Sequence, residues 1–310
     1  MDRCDAGGQN ERGEAMTVLV TGAAGRLGRP TCRALLDAGF QVRATDQRYA
    51  RDAGGADFRI ADLRDRLVAY TLLEGVDALV HLGNYPYLMP GIAPQSLYVE
   101  NTAMNAHLFQ AAHEMGVSRV VFASSIQAMS GDRETGKPER PSCLRYLPID
   151  GDAPACPANL YAMSKVTAEG LLRYYTGRSA TLAATALRFP LLVEAGSGWI
   201  IKRSRQKVWP ATRIDEGLSY LCTNDAARLV VEVLRQQKPG YHQYLPAAAA
   251  PMISTPIPDL VREHFPGVPL RQPSEALRSL VDVSQIAREI GWEPREQLPI
   301  EEDQPAPVPA

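Results

Sequence analysis

The chain has 310 residues, 45% of them hydrophobic, enough to bury a full core as one large α/β domain or as a main domain with a smaller lobe. Its 33 basic and 35 acidic residues leave a formal charge of −2 and are spread along the sequence, which argues against nucleic acid and against a polybasic membrane anchor as partners. Cys4, Cys32, Cys143, Cys156 and Cys222 are scattered without CxxC spacing and read as free thiols in a reducing compartment, with no zinc site.

Residues 1–15 are polar and Gly-rich, lack the apolar core of a secretory signal, and read as a disordered extension with Met16 as an alternative start. No apolar run reaches membrane-spanning length, so the expected location is cytoplasmic. Strand-like and helix-like segments then alternate. The strands are expected at 17–21 (TVLVT), 41–45 (QVRAT), 58–61, 78–82 (ALVHL), 119–123 (RVVFA) and 185–189 (TALRF), and the helices at 26–38, 95–115 and 159–175. That order specifies an α/β fold, a doubly wound parallel Rossmann sheet of about six or seven strands. After Pro190 the alternation loosens and helices are expected at 224–237 and 256–264. Residues 16–190 are therefore read as the main domain, 191–298 as a small C-terminal substrate lobe interleaved with it, and 299–310 as a flexible tail. The Pro-rich stretches 140–157 and 247–258 are expected as loops, one of them over the active site.

The first strand runs into TGAAGRLG, which sets Gly22, Gly25, Arg26, Leu27 and Gly28 between strand and helix. Glycines suit a tight turn there, and the helix start points free N–H groups at negative charge, the arrangement that cradles a dinucleotide pyrophosphate. Asp46 follows Gly28 by eighteen positions at the end of strand two. A carboxylate there accepts hydrogen bonds from ribose hydroxyls and repels a 2′-phosphate, favouring NAD; a plain strand cap is the other reading, and Arg48 nearby leaves NADP open. Asp62 and Leu63 suit the adenine ring, although an Asp before a helix also serves as an N-cap. Leu82, Gly83 and Asn84 end strand four at the switch point of the sheet and should border pyrophosphate and ribose, with His81 buried and structural.

YAMSK places Tyr161 and Lys165 four residues apart on one helix face. A phenol titrates at about 10 and makes a poor base, and a neighbouring ammonium lowers that value by favouring the phenolate. Ser124 and Ser125 close the strand ending in FASS, and the glycine loop beside them turns a common strand terminus into a candidate site.

These motifs together resemble the extended short-chain dehydrogenases/reductases, within them the NAD-dependent epimerase/dehydratase family. The likeness runs from Met16 to about Pro294 and includes HLGN (81–84), Asn101 in ENTAMNAHLF, LRFP (187–190), TNDAARL (223–229) and DVSQIAREIGWEP (282–294). It implies that Tyr161 takes the proton of a substrate hydroxyl, that Lys165 holds the nicotinamide ribose, and that Ser125 stabilises the reacting oxygen, with Ser124 the weaker neighbour. It also implies that Asn101 braces the site and that Phe189 and Pro190 lie near the nicotinamide. Helices 95–115 and 159–175 pair in homodimers of such proteins, although the same apolar stripes could face the sheet.

The substrate expected from this resemblance is a small sugar-like molecule. Only 34 positions separate Pro190 from Asn224, little room for a nucleotide-binding lobe, and Ile126 and Gln127 stand where a dehydratase has an acidic pair. The uronate dehydrogenase branch is the better likeness. Tyr85, Ser125, Ile126, Gln127 and Arg188, with Tyr87 nearby, are the candidate substrate contacts; Arg188 suits a carboxylate but equally an ion pair at a strand end. Three functions stay open: an NAD-dependent dehydrogenase of a sugar, sugar acid or polyol, a nucleotide-sugar epimerase using NAD transiently, and a non-catalytic NAD-binding regulator.

Overall fold

The computed structural model describes residues 13–49, 55–87, 89–130, 143–194, 196–198 and 211–299. Most of the expected N-terminal extension, nearly all of the tail and positions 140–142 lie outside the described residues. In chain order the strands are β1 (Thr17–Thr21), β2 (Gln41–Asp46), β3 (Asp57–Ile60), β4 (Ala78–His81), β5 (Arg119–Ser125), β6 (Ala183–Phe189), β7 (Leu191–Val193), β8 (Tyr220–Cys222) and β9 (Gly240–Tyr244). The helices are α1 (Gly28–Asp37), α2 (Arg66–Leu73), α3 (Pro94–Glu114), α4 (Gln127–Ser130), α5 (Leu160–Thr176), α6 (Ala211–Asp215), α7 (Thr223–Gln236), α8 (Ile257–His264) and α9 (Ser284–Ile290).

Seven strands form one parallel sheet in the order β3-β2-β1-β4-β5-β6-β9. The central strands β4 and β6 are buried along their whole length, which a parallel sheet covered on both faces requires of its interior runs. Chain order reverses between β1 and β4, so a crevice opens beyond their carboxyl ends, where open α/β sheets bind ligands. One face is packed by α1, α7 and α9 through Leu35, Leu229, Val233 and Ile286. The other is packed by α2, α3 and α5 through Leu72, Leu108, Phe109 and Leu172.

A third core gathers Leu144, Leu147 and Ile149 with Tyr220, Leu260, Phe265 and Leu280. The stretch expected as a loop at 140–157 contains no regular helix or strand among its described residues. Its described part is built into that core, because Leu147 and Ile149 turn the same way and bridge Leu270 and Val281. The stretch 247–258 is likewise anchored, with Ala247, Ala248 and Met252 buried. Directly after Pro190 the chain enters β7, which pairs with β8 in a separate two-stranded parallel sheet. No helix among the described residues is long and apolar enough to cross a membrane.

Candidate active site

Two adjoining cavities open at the carboxyl edge of the sheet. The first, of about 370 Å³, is walled by Gly22, Ala24 and Gly25 of the turn after β1, by Asp46, Gln47 and Arg48 after β2, and by Leu63, Leu82, Gly83, Asn84 and Tyr85. The turn admits no side chain at its first and last glycines. Gly22 has φ +68, and a Cβ there would meet the Gly83 backbone at 2.8 Å; one on Gly28 would lie 2.1 Å from the Gly22 carbonyl oxygen. Asp46 is fixed by the turn it faces, since its Oδ2 accepts the Ala24 N–H at 3.1 Å. Asp62 is drawn away to Arg64, which holds its carboxyl down to about 2, and Leu63 rather than Asp62 reaches the wall.

The second cavity, of about 410 Å³, shares Leu82, Asn84, Tyr85 and Pro86 with the first and adds Arg26, Leu27, Ser125, Ile126, Gln127, Tyr161, Lys165, Phe189 and Pro190. Ser125, the last residue of β5, lines this cavity together with Tyr161, and its Oγ accepts the Gln127 N–H at 3.2 Å. Tyr161 lies in the first turn of α5, which Asn159 caps by accepting the Ala162 N–H at 2.8 Å. One turn on, the Lys165 Nζ donates to Asn84 Oδ1 and to the Ala123 carbonyl, both at 2.8 Å.

Behind Lys165 runs a buried polar chain. Asn84 Nδ2 donates to Asn105 Oδ1 at 2.9 Å, the same oxygen sits 2.8 Å from His81 Nε2, and His81 Nδ1 is 2.6 Å from Thr21 Oγ1. Thr21 in turn accepts the Leu82 and Gly83 N–H groups at 3.2 and 3.1 Å, so the turn beyond β4 and the anchor of Lys165 are set by one network. Burial, reinforced by the charge of Lys165, pushes His81 down to about 3, and the imidazole is neutral and structural.

The electrostatics correct one expectation. Burial pushes the Tyr161 phenol up to about 12, with the Ser125 hydrogen bond working against the rise and the Glu216 carboxylate adding to it. Burial also pulls Lys165 down to about 7, opposed by the charge of Glu169. Desolvation therefore outweighs the expected lowering of the phenol by the ammonium, whose Nζ stands 5.5 Å from the Tyr161 ring centre.

Three further residues are placed as follows. Arg188 makes no wall of either cavity: it is 1% exposed, paired to Glu169 and bonded to the Ala153 carbonyl at 2.6 Å, so it is an internal ion pair and not a substrate contact. Ser124 also lines the second cavity, while its hydroxyl turns to the opposite face of β5 from that of Ser125 and donates to Glu169 Oε1 at 2.6 Å. Asn101 is buried in α3 and clamps the Tyr85 backbone, accepting its N–H at 2.8 Å and donating to its carbonyl at 3.0 Å; it positions the Tyr85 loop and does not line either cavity. Tyr85, Ile126 and Gln127 do line the second cavity, and the Tyr87 ring lies 6.1 Å from that of Tyr161.

Arg213 and Glu216 were not anticipated. They reach the cavity from the end of α6, where the sequence ATRIDEG has the look of a solvated charged turn. Glu216 is 1% exposed, pairs with Arg213, and accepts from Gln127 Nε2 at 3.3 Å.

Among curated proteins, a uronate dehydrogenase of Pseudomonas putida is 30% identical over 167 residues, 52% of this chain and 56% of that protein. An L-arabinose 1-dehydrogenase (NAD(P)(+)) of Haloferax volcanii is 33% identical over 168 residues, 52% of this chain and 61% of its own length. The match thus spans little more than half of each relative. In three dimensions the chain shares its fold with a UDP-glucose 4-epimerase of Bifidobacterium longum, at TM-score 0.66 and 20% identity over 91% of this chain and 94% of that one. Residues 18–244, from β1 to the end of β9 and so across the whole sheet that carries the site, match the NAD dependent epimerase/dehydratase family, and the chain is a member of that family.

Proposed function

We propose that the protein is an NAD-dependent dehydrogenase that oxidises a hydroxyl carbon of a free sugar, sugar acid or similar polyol. The observation that carries this reading is the gathering of Ser125, Tyr161 and, one helical turn on, Lys165 in the lining of one cavity that adjoins the glycine turn and Asp46. The names of the two dehydrogenase relatives support a free-sugar substrate over a nucleotide sugar.

The residues present suit NAD. The closely packed Gly22 and Gly28 let backbone approach a pyrophosphate, and Asp46 offers the adenosine ribose a carboxylate fixed by Ala24. Lys165 and Asn84 would hold the second ribose, and Phe189 and Pro190 would flank the nicotinamide. When bound, NAD supplies the acceptor for the hydride. Tyr161 then takes the hydroxyl proton of the substrate, and Ser125 donates to the same oxygen and stabilises its charge. Because burial holds Tyr161 high, proton removal depends on Ser125 and on a charged Lys165 offsetting that cost. Asn101 fixes Tyr85 at the mouth of the cavity. Residues beyond Pro190 form the substrate side. A cytoplasmic location and a homodimer through α3 and α5 complete the proposal; the exposed Val99 and Met163 on those helices support the pairing.

The test is the absorbance of reduced cofactor with NAD and a panel of free aldoses, uronic acids and polyols beside nucleotide sugars. Signal with a free sugar is the expected result. Silence there, together with isomerisation of a nucleotide sugar and NAD released only on denaturation, would replace the proposal with an epimerase.

A further inference from the structure

Glu216 is a buried carboxylate in the wall of the second cavity, beside Ser125, Gln127 and Tyr161. Desolvation of such a group is costly and raises its proton affinity, the direction seen for Glu216, and the fold goes to some length to hold it there. The two residues after it are both left-handed, Gly217 at φ 65 and Leu218 at φ 49, the latter a conformation that a branched aliphatic side chain resists. Leu218 N–H donates to the Arg213 carbonyl at 2.9 Å, the Ser219 hydroxyl donates to the Glu216 carbonyl at 2.6 Å, and the Leu218 carbonyl accepts Met252 N–H at 2.9 Å. This reversal turns Glu216 back toward the cavity.

A carboxylate offers about four acceptor sites and no donor. Arg213 engages Oε2 and Gln127 engages Oε1, which leaves acceptor capacity facing the cavity. Gln127 also accepts from Asn159 Nδ2 at 3.3 Å, and Asn159 caps the helix turn that holds Tyr161. The other cations of the lining are engaged as well: Lys165 with Asn84 and the Ala123 carbonyl, Arg26 with the Leu192 carbonyl at 3.2 Å. Arg213 has its charge balanced by Glu216, and Arg188 is locked to Glu169.

We infer that Glu216, held by Arg213 and Gln127, sets the substrate class: its carboxylate accepts the hydroxyl hydrogens of a neutral sugar or polyol, and by occupying Arg213 it denies that cation to a sugar acid or sugar phosphate. This narrows the proposed dehydrogenase function and rests on it. An anion entering a cavity whose described cations are already engaged loses its hydration without gaining a partner, whereas a neutral polyol brings the donors that Glu216 lacks.

The experiment compares an aldose with its uronic acid and its phosphate ester, as kcat/KM with NAD in the wild type, Glu216→Gln and Glu216→Asp. The same ligands are titrated calorimetrically into Tyr161→Phe and Tyr161→Phe/Glu216→Gln in the presence of NAD, where turnover is not needed. The aldose is expected to lead the acid by roughly tenfold or more, and Glu216→Gln to cut its kcat/KM by roughly 10- to 100-fold, the range of one hydrogen bond to a charged group. The same variant should bring the acid level or ahead. Glu216→Asp keeps the charge and should keep the discrimination, which decides the matter if Glu216→Gln fails to fold. A wild type that prefers the acid, or a preference unmoved in Glu216→Gln, overturns the assignment and leaves the dehydrogenase reading standing. If no sugar reduces NAD but the binding preference still inverts, Glu216 keeps its role and the dehydrogenase reading falls. If no ligand binds, both fall.

Discussion

Arg188 of β6 and Glu169 of α5 meet as a two-pronged pair, Nε to Oε1 at 2.9 Å and Nη2 to Oε2 at 2.8 Å, with both side chains almost completely buried. Ser124 adds a third bond to the same carboxylate, and Arg188 reaches on to the Ala153 carbonyl, so one pair joins the helix of Tyr161 to the sheet and to the stretch around Ala153. Arg188→Met strands a buried carboxylate and should cost about 3–5 kcal/mol of stability in urea unfolding. Replacing both, as Arg188→Met/Glu169→Met, should recover part of that loss. A single variant as stable as the wild type would show that the pair is not what fastens α5.

Tyr161→Phe removes the hydroxyl and little volume. Turnover should drop about 10²- to 10⁴-fold, the range of one general acid–base group, while NAD affinity measured by calorimetry stays within about twofold. Turnover at the wild-type rate would remove Tyr161 from the chemistry.

Lys165 makes stability depend on pH. Its folded value of about 7 lies below the ordinary 10.5, so between those limits the unfolded chain binds more protons and stability rises with pH. Below about 7 the ammonium is buried charged and its cost is present in full. Lys165→Met should therefore melt higher, relative to wild type, at about pH 6 than at about pH 10, by about 3 °C or more. A difference that stays constant or grows with pH contradicts the burial argument.

Asp46 is expected to select the cofactor. Asp46→Ser should raise KM for NAD roughly tenfold and improve NADP relative to NAD, since it removes a charged acceptor and the repulsion of a 2′-phosphate together. Steady-state kinetics with both cofactors checks this, and an unchanged ratio would assign Asp46 to bracing the turn through Ala24 alone.

Much of this was legible in the chain because local chemistry and topology agree there. The run TVLVTGAAGRLG fits a buried strand, a turn with no room for a Cβ at its first and last glycines, and a helix start, and the structure places all three. The last strand of the sheet was not seen in advance. GYHQY carries no apolar run, because β9 sits at the sheet edge and buries only Tyr244. The two serines of FASS could have been separated, since alternation on a strand sends Ser124 and Ser125 to opposite faces. Arg188 was ambiguous because its partner is nineteen residues away on another element. Glu216 left no local trace at all: nothing in IDEGLS says that two left-handed residues will fold that acid inward.

The two cavities have Leu82, Asn84, Tyr85 and Pro86 in common and both take residues from the turn after β1, while Asp46 to Arg48 wall only the first and Ser125 to Gln127, Leu192, Arg213 and Glu216 only the second. Variation can therefore act on the two halves separately. Substitutions at Gln127, Leu192, Arg213 and Glu216 would redraw what is accepted on one side while the turn at Gly22–Gly28 and Asp46 stays under its own selection. A lineage built on this plan can drift between sugars by a few point changes, and a directed-evolution library confined to those four positions should change the preferred sugar before it changes the affinity for the dinucleotide.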